Sequence, residues 1–197
     1  MRKSLAKYIK KRNFKKTKEP TGKIVKGKGE KIFVIQKHYA SRLHFDFRLE
    51  VQGTLKSWAV PKGPSLSPKE KRLAIMTEDH PTEYRNFEGV IPSGQYGAGV
   101  VMLWDRGKYK NIKKDKAGKG ISMEKCIHMG SIEIWLEGEK LKGGFALVNF
   151  KDNSWLLIKM KDEMASAVKK PAKTKNKSVK SGLTMREIKK LHEIKGH

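Results

Sequence analysis

The segment from Arg42 to Glu50 alternates polar and apolar side chains without exception, and this alternation constrains the fold more than any other feature. Successive side chains of a β-strand point to opposite faces, so the pattern predicts a strand with one apolar and one polar face. The apolar side chains, which we expect to point into a core, are Leu43, Phe45, Phe47 and Leu49. The polar side chains are Arg42, His44, Asp46, Arg48 and Glu50.

The polar face carries residue types that suit a chemical site. His38, His44, Asp46 and Arg48 lie within eleven positions and share one parity. Histidine and carboxylate are ligands for Mn²⁺, Zn²⁺ or a similar divalent ion, and a guanidinium is well shaped to bind phosphate oxygens. The alternative is a solvated strand face whose histidine and aspartate pair with their neighbours. The coincidence of four such residues favours a metal and phosphate site.

Most of the remaining chain consists of short strand-like runs separated by Gly, Pro, Asn and Asp, which predicts an all-β fold. Seven or eight such strands in one core indicate a barrel or a sandwich, with little helix. Tight turns are expected at 52–53 and 151–153, one helical turn after Pro81, and a short helix over Met185–Ile194. The predicted strands are 31–36, 42–50, 54–60, 72–77, 99–105, 131–137, 145–150 and 154–160.

The net charge of +25 is concentrated at the two ends of the 197-residue chain. Residues 1–29 contain 12 Lys and Arg against one acidic residue, and residues 169–197 contain ten against two. Such segments bury little apolar surface, so we expect a basic N-terminal arm at 1–29 and a basic linker and tail at 163–197, both flexible. The barrel domain would span 30–162. A polyanion is the natural partner, and nucleic acid fits better than a membrane surface because neither end has a long apolar stripe.

The rest of the composition predicts a cytoplasmic protein, associated with the nucleoid if it is prokaryotic. Cys126 is the single cysteine, so no intramolecular disulfide forms, which fits a reducing compartment. No segment approaches the roughly 20 continuous apolar residues of a membrane span, and the basic N-terminus lacks the apolar stretch of a secretory signal. We expect a monomer without membrane contact.

Two other segments are candidates for phosphate contacts. The run 77–84 places His80 where a helical turn would begin, and backbone N–H groups favour an anion there. The run 57–65 presents Lys62 on a stiff turn of Pro and Gly. Surface residues without a ligand are the plainer interpretation of each. HEXXH, GxSxG and CxxC motifs are absent from the sequence, which removes several hydrolase and redox classes.

Four longer motifs give the chain a specific family resemblance. They read QKHYASRLHFDFRLE at 36–50, WAVPKGPS at 58–65, EDHPTEY at 78–84 and IPSGQYGAG at 91–99. With the N-terminal YIKKRNF at 8–14, they resemble the 3′-phosphoesterase module of bacterial ligase D from about residue 8 to residue 160. The ligase and polymerase modules of that protein have no counterpart here, so the resemblance implies that such repair partners act in trans.

The resemblance implies a Mn²⁺-dependent DNA-repair nuclease of non-homologous end joining that acts on the 3′ ends of DNA or RNA/DNA primer-templates. Such an enzyme removes a terminal ribonucleoside and then the resulting 3′-phosphate, leaving a 3′-OH; Zn²⁺, Co²⁺ or another divalent ion could replace Mn²⁺. Carried over by position, the metal ligands are His38, His44 and Asp46. The catalytic residues are Arg48, His80, Tyr84 and Glu78, with His80 as a proton donor at neutral pH. The supporting and substrate-binding residues are Arg12, Glu19, Gln36 and Lys62.

One departure concerns Asn13, because the family pattern has Asp at this position. An amide keeps an acceptor but loses the charge, which puts the ribonucleoside-removing step in question.

Three alternatives stay open: an enzyme that removes 3′-phosphate only, a metal phosphatase of RNA ends or small nucleotides, and a non-catalytic nucleic-acid-binding barrel. The last does not explain why acids and histidines converge on a face for a polyanion.

Overall fold

A computed structural model describes residues 2–22 and 31–194, and its ten strands form one antiparallel sheet. The strands are β1 (Ile32–Tyr39), β2 (Leu43–Val51), β3 (Thr54–Val60), β4 (Arg72–Met76), β5 (His80–Pro81), β6 (Gly89–Ile91), β7 (Gly99–Asn111), β8 (Ser131–Gly138), β9 (Lys142–Lys151) and β10 (Ser154–Lys159). The helices are α1 (Arg2–Lys10), α2 (Met123–His128), α3 (Pro171–Thr174) and α4 (Met185–Ile194), and a 3₁₀ helix spans Thr82–Asn86.

Eight of these strands close into a barrel, as the sequence predicts. Hydrogen bonding runs in the order β1-β2-β3-β4-β10-β9-β8-β7, and β7 pairs back with β1. All of these pairings are antiparallel. The two short strands lie outside the ring, with β5 on β3 and β6 on β7. Closure leaves the ring without the unpaired edge that an open sheet presents.

The turn at Gln52 and Gly53 fixes the register of the strands that carry the polar face. Both residues have positive φ, 51° and 78°, the backbone of a two-residue hairpin loop. This turn pairs Arg48 with Ser57 and Asp46 with Ala59. The preceding hairpin pairs His38 directly with His44. Polar side chains from three strands therefore meet on one side of the sheet.

Apolar side chains of β1 to β4 and β7 to β10 fill the barrel interior, including Phe33, Phe47, Trp58 and Phe145. The opposite face of β1 to β3 is covered by a second, smaller cluster that includes Tyr8 and Tyr84. The polar face is therefore buried from Asp46 to Glu50 and is not the solvent face that alternation alone predicts. Leu43 is also mispredicted: it is 40% exposed, because it lies beside the turn at 40–42 that joins β1 to β2.

The prediction of flexible flanks is wrong where the structure describes them, because both flanks pack on the barrel. Tyr8 and Leu5 of α1 are fully buried, and Tyr8 Oη donates a 2.6 Å hydrogen bond to the carbonyl of Pro20. In the tail, Ile188 of α4 is 3% exposed and joins the barrel core. Residues 23–30 and 195–197, parts of the predicted flanks, lie outside the described residues. No helix among the described residues has the length and apolar character needed to cross a membrane.

Several element boundaries differ from the predictions. Helices α1 and α2 were not expected, and α3 interrupts a segment predicted as linker. Strand β1 continues three residues beyond its predicted end, to Tyr39, with a register shift against β7 between Ile35 and Gln36. Strand β7 continues to Asn111 instead of ending at 105. The helix over Met185–Ile194 and the helical turn after Pro81 are confirmed.

Candidate functional site

The polar face brings His38, His44 and Asp46 together as a candidate metal site. His38 Nδ1 lies 3.5 Å from Asp46 Oδ2, and His44 Nε2 lies 3.7 Å from Asp46 Oδ1. One potential ligand atom from each residue lies within 4.8 Å of the others. The two imidazole rings are 4.8 Å apart between centroids, as expected for residues paired across two strands.

Backbone carbonyls fix the tautomers of both histidines in the form that a metal requires. His38 Nε2 lies 2.9 Å from the carbonyl oxygen of Gly97, and His44 Nδ1 lies 3.0 Å from that of Arg42. A carbonyl only accepts, so each of these nitrogens carries the proton. The other nitrogen of each ring faces Asp46, where it can offer a lone pair to a bound metal. Histidine ligands of metals are oriented in this way by their outer hydrogen bonds, so the trio fits a divalent cation.

Asp46 is held as a carboxylate by its surroundings. Burial alone would raise its pKa, but Arg48 and the two histidines hold the pKa of Asp46 well below its usual range. Arg48 Nη2 lies 3.2 Å from Asp46 Oδ2. The site therefore offers an ionised oxygen ligand next to two imidazole nitrogens, a donor set suited to first-row divalent ions.

Arg48 is immobilised beside the candidate metal site. Its Nε donates to Gln36 Oε1 at 2.9 Å and its Nη1 donates to Ser57 Oγ at 2.8 Å. The guanidinium carbon lies 4.9 Å from the centroid of the Tyr84 ring. A guanidinium fixed on three sides is pre-organised for an anion, because little rotamer entropy is lost when the anion binds.

His80 has a hydrogen-bond partner at each ring nitrogen, Arg12 on one side and a backbone carbonyl on the other. Arg12 Nη2 lies 3.3 Å from His80 Nε2, and an arginine can only donate, so Nε2 is the acceptor. His80 Nδ1 donates to the carbonyl of Glu78 at 2.9 Å. Burial, together with the positive charges of Arg48 and Arg12, lowers the pKa of His80 well below 6.5.

Glu19, Tyr84 and Gln36 hold other side chains in place. Tyr84 Oη donates to Glu19 Oε1 at 3.0 Å, and Arg12 Nε donates to the same carboxylate oxygen at 2.8 Å. Burial and the Glu19 charge raise the pKa of Tyr84 well above 10, so the phenol keeps its proton. Gln36 Nε2 donates to the carbonyls of Tyr84 and Phe87, at 3.0 and 2.8 Å. Gln36 and Glu19 are buried under their neighbours and do not line the pocket described next.

A pocket of about 310 Å³ opens over the site. Glu78 reaches it from the segment before β5 and pairs with Lys11 at 3.0 Å and Arg12 at 3.3 Å. Lys62 does not line this pocket; it lies on a separate cleft beside Arg72. The predicted residues that the pocket brings together are Arg12, His38, His44, Asp46, Arg48, Glu78, His80 and Tyr84.

Three residues that contact the predicted site residues or line the pocket were not predicted as site residues: Ser57, Lys11 and Tyr96. Ser57 accepts a hydrogen bond from Arg48. The sequence feature that could have identified Ser57 is the two-residue turn before β3, because this turn sets Ser57 opposite Arg48. Lys11 Nζ donates to Tyr96 Oη at 3.0 Å at the rim. No local pattern marks that contact, because its partners are 85 residues apart.

Asn13 makes no ion pair among the described residues. It is exposed, and its Oδ1 accepts a hydrogen bond from the backbone N–H of Lys15 at 3.1 Å. Its neighbour Arg12 is instead neutralised by Glu19 and Glu78. The amide therefore completes a turn beside the pocket.

A closed antiparallel barrel with a two-histidine, one-carboxylate trio beside a fixed arginine defines a protein equipped for phosphoester chemistry. Residues 36–149 match the DNA ligase D 3′-phosphoesterase domain. The chain belongs to this family.

Relatives of known sequence agree with the family match. The chain is 47% identical over 172 residues to the multifunctional non-homologous end joining protein LigD of Pseudomonas aeruginosa, covering 84% of this chain and 20% of that protein. It is 44% identical over 161 residues to the LigD proteins of Mycobacterium tuberculosis and Mycolicibacterium smegmatis, covering 81% of this chain and 20% and 21% of theirs. The chain thus spans about a fifth of the length of these relatives.

Proposed function

We propose that this protein is a metal-dependent 3′-phosphoesterase that heals the 3′ ends of nucleic acid during DNA repair by end joining. It removes a 3′-terminal ribonucleoside and then the 3′-phosphate, leaving a 3′-OH. The observation that carries the proposal is the pair of carbonyl-fixed histidines that face Asp46 next to Arg48 in one pocket. A barrel that only binds nucleic acid has no use for two histidine lone pairs turned toward one carboxylate.

His38, His44 and Asp46 would hold the metal, and Mn²⁺ is the ion that we propose. When bound, such an ion supplies Lewis-acid stabilisation of charge on phosphoryl oxygens. Arg48 adds a fixed positive charge on the same side of the pocket, where it opposes the charge that develops during hydrolysis. Because Gln36 and Ser57 already orient the guanidinium, little reorganisation is needed as the reaction proceeds.

His80 and Arg12 act as a unit in the same pocket. His80 Nε2 accepts from Arg12, so this histidine orients Arg12 and offers no proton of its own from that nitrogen. Arg12 is in turn fixed by Glu19 and Glu78. We assign Arg12 to the binding of a phosphate oxygen, and Tyr84 and Glu19 to its positioning.

The substrate would be a DNA or RNA/DNA primer end. The net charge of +25 favours a polyanion, and the relatives are named for non-homologous end joining. We propose that a ligase and a polymerase complete the repair of the ends that it heals. A second candidate, an enzyme that removes 3′-phosphate only, is favoured by Asn13, which lacks the charge that the family pattern has there.

The test is a primer–template with one 3′-terminal ribonucleotide, incubated with the protein and Mn²⁺ and resolved on a gel. The wild type should shorten the primer to a 3′-phosphate and then remove the phosphate, and His44→Ala should do neither. A primer that already ends in 3′-phosphate distinguishes the second candidate, which would process only that substrate. Tight binding of both primers without any product would refute an enzyme of either kind.

A further inference from the structure

The C-terminal tail crosses one end of the barrel and is fixed there at several points. The backbone N–H of Ser166 donates to the carbonyl of Leu66 at 2.8 Å. Trp104 Nε1 donates to the carbonyl of Lys175 at 2.6 Å, and the N–H of Val179 donates to the carbonyl of Leu103 at 2.9 Å. Between these points, Ala172 of α3 packs against Gly63 of the β3–β4 turn. The tail between 166 and 179 is therefore attached along its length.

The attached tail creates a basic groove against the barrel. The largest part is a cleft of about 840 Å³ lined by six lysines and one acidic residue, Glu163. A second cleft, of about 460 Å³, shares two of these lysines and adds Lys62 and Arg72, with Glu70 as its acidic residue. The six lysines of the larger cleft are Lys140, Lys142, Lys169, Lys170, Lys173 and Lys175.

Positive charge in this groove exceeds what nearby acids compensate. Burial lowers the pKa of Lys140 to about 8, although the attraction of Asp105 and Glu139 outweighs the repulsion from Lys175 and Lys37. Lys140 Nζ also donates a hydrogen bond to the carbonyl of Lys177, so its position is fixed by the tail. Six lysines against one acidic residue give the groove an excess of positive charge that suits a polyanion.

We propose that this tail groove, defined by the six lysines named above, binds the phosphate backbone of duplex nucleic acid away from the metal pocket. The proposal rests on the proposed function, which supplies a nucleic-acid end as substrate. Lysines act as point charges on phosphates, and neither cleft has an aromatic side chain among its described lining residues on which a base could stack. Contact in the groove would therefore be independent of sequence and would position the duplex.

The test compares two double variants of the full chain that remove the same charge. Lys170→Gln with Lys173→Gln neutralises the groove, and Lys116→Gln with Lys119→Gln neutralises two exposed lysines of the loop before α2, which line neither cleft. Fluorescence anisotropy with a blunt 30-base-pair duplex, in EDTA, gives the dissociation constant across a salt series. Each lost lysine–phosphate contact should reduce the slope of log K against log salt by about 0.9, hence by about 1.8 for the groove variant.

Substrate length separates this proposal from the proposed function. A dinucleotide with a 3′-phosphate reaches the metal pocket but is too short to reach the groove as well. The groove variant should lose affinity for the long duplex relative to the dinucleotide, whereas His44→Ala should lose hydrolysis and keep duplex binding. Equal loss of duplex affinity in both double variants would show that binding depends on diffuse charge, and would overturn the proposal. If the groove variant still binds the duplex but no longer binds polyglutamate, the ligand of the groove would be an acidic protein, and the proposal would be overturned.

Discussion

Arg12 Nη2 donates to His80 Nε2 across 3.3 Å, and this contact joins the N-terminal arm to the barrel at the candidate site. Arg12 comes from the turn after α1, and His80 is paired with Leu55 of β3. The guanidinium also lies 3.8 Å from the centroid of the Tyr8 ring. The N-terminal arm thus adds the charged side chain of Arg12 to the pocket and the buried ring of Tyr8 to the fold at the same place.

Removal of the Arg12 charge should destabilise the protein strongly. Arg12→Gln leaves the buried Glu19 and Glu78 carboxylates without their shared partner, which we expect to lower the free energy of unfolding by about 3 kcal/mol. Urea unfolding measures the loss. Lys11→Gln is the matched control, because Lys11 pairs with Glu78 from an exposed position and should cost less than about 1 kcal/mol. Equal losses for the two variants would contradict the account.

The neutral state of His80 should make stability fall in mild acid. Its pKa in the folded protein lies well below 6.5, so the unfolded chain takes up a proton that the folded chain resists. The stabilisation is fully present above about pH 6.5 and is lost as the pH falls toward the folded pKa. Urea unfolding of the metal-free protein from pH 7.5 to pH 5 should show this decline. His80→Gln should flatten it, and His128→Gln should not; an unchanged slope in His80→Gln would refute the assignment.

Gln36 should matter for stability although it does not line the pocket. Gln36→Leu removes the donors to two buried carbonyls and the acceptor for Arg48 Nε, so we expect a loss of about 2 to 3 kcal/mol. It should also lower kcat by freeing the guanidinium, with a smaller effect on KM. Gln95→Leu, in the glycine-rich loop at the rim, serves as the control and should leave both quantities nearly unchanged. A Gln36→Leu protein of normal stability would exclude the predicted positioning role.

Asn13→Asp tests whether one charge limits the first reaction step. The carboxylate would stand next to Arg12 at the turn that Asn13 now completes. We expect the rate of ribonucleoside removal to rise severalfold relative to the rate of 3′-phosphate removal, as measured on matched primers. Asn13→Ser, which supplies no charge, is the control. No change in the ratio for Asn13→Asp would show that this position does not decide between the two steps.

Much of the site follows from local sequence patterns. Alternation in β2 places His44, Asp46 and Arg48 on one face, and the turn at 52–53 sets Ser57 opposite Arg48. His38 is brought across from His44 by the preceding hairpin. Each of these relationships depends on strand period and loop length, which are properties of neighbouring residues.

The protonation states could not be predicted in this way. Burial of His80 depends on Tyr84 of the following 3₁₀ helix, whose ring lies 4.8 Å away, and on Tyr8 of the distant helix α1, whose ring lies 5.1 Å away. Composition likewise favoured a flexible tail, because its lysines are many and its apolar residues few. A single buried Ile188 and a few backbone hydrogen bonds are enough to attach it, and no periodic pattern marks the latter.

The most direct test is a titration of the metal-free protein with MnCl₂, with bound Mn²⁺ followed by electron paramagnetic resonance and phosphate release followed from a primer that ends in 3′-phosphate. If His38, His44 and Asp46 form the site, phosphate release should rise with Mn²⁺ occupancy and saturate as one ion binds. His44→Ala should lose both signals, and His128→Gln should keep both. Phosphate release that persists in EDTA, or tight Mn²⁺ binding that survives His44→Ala, would contradict the account.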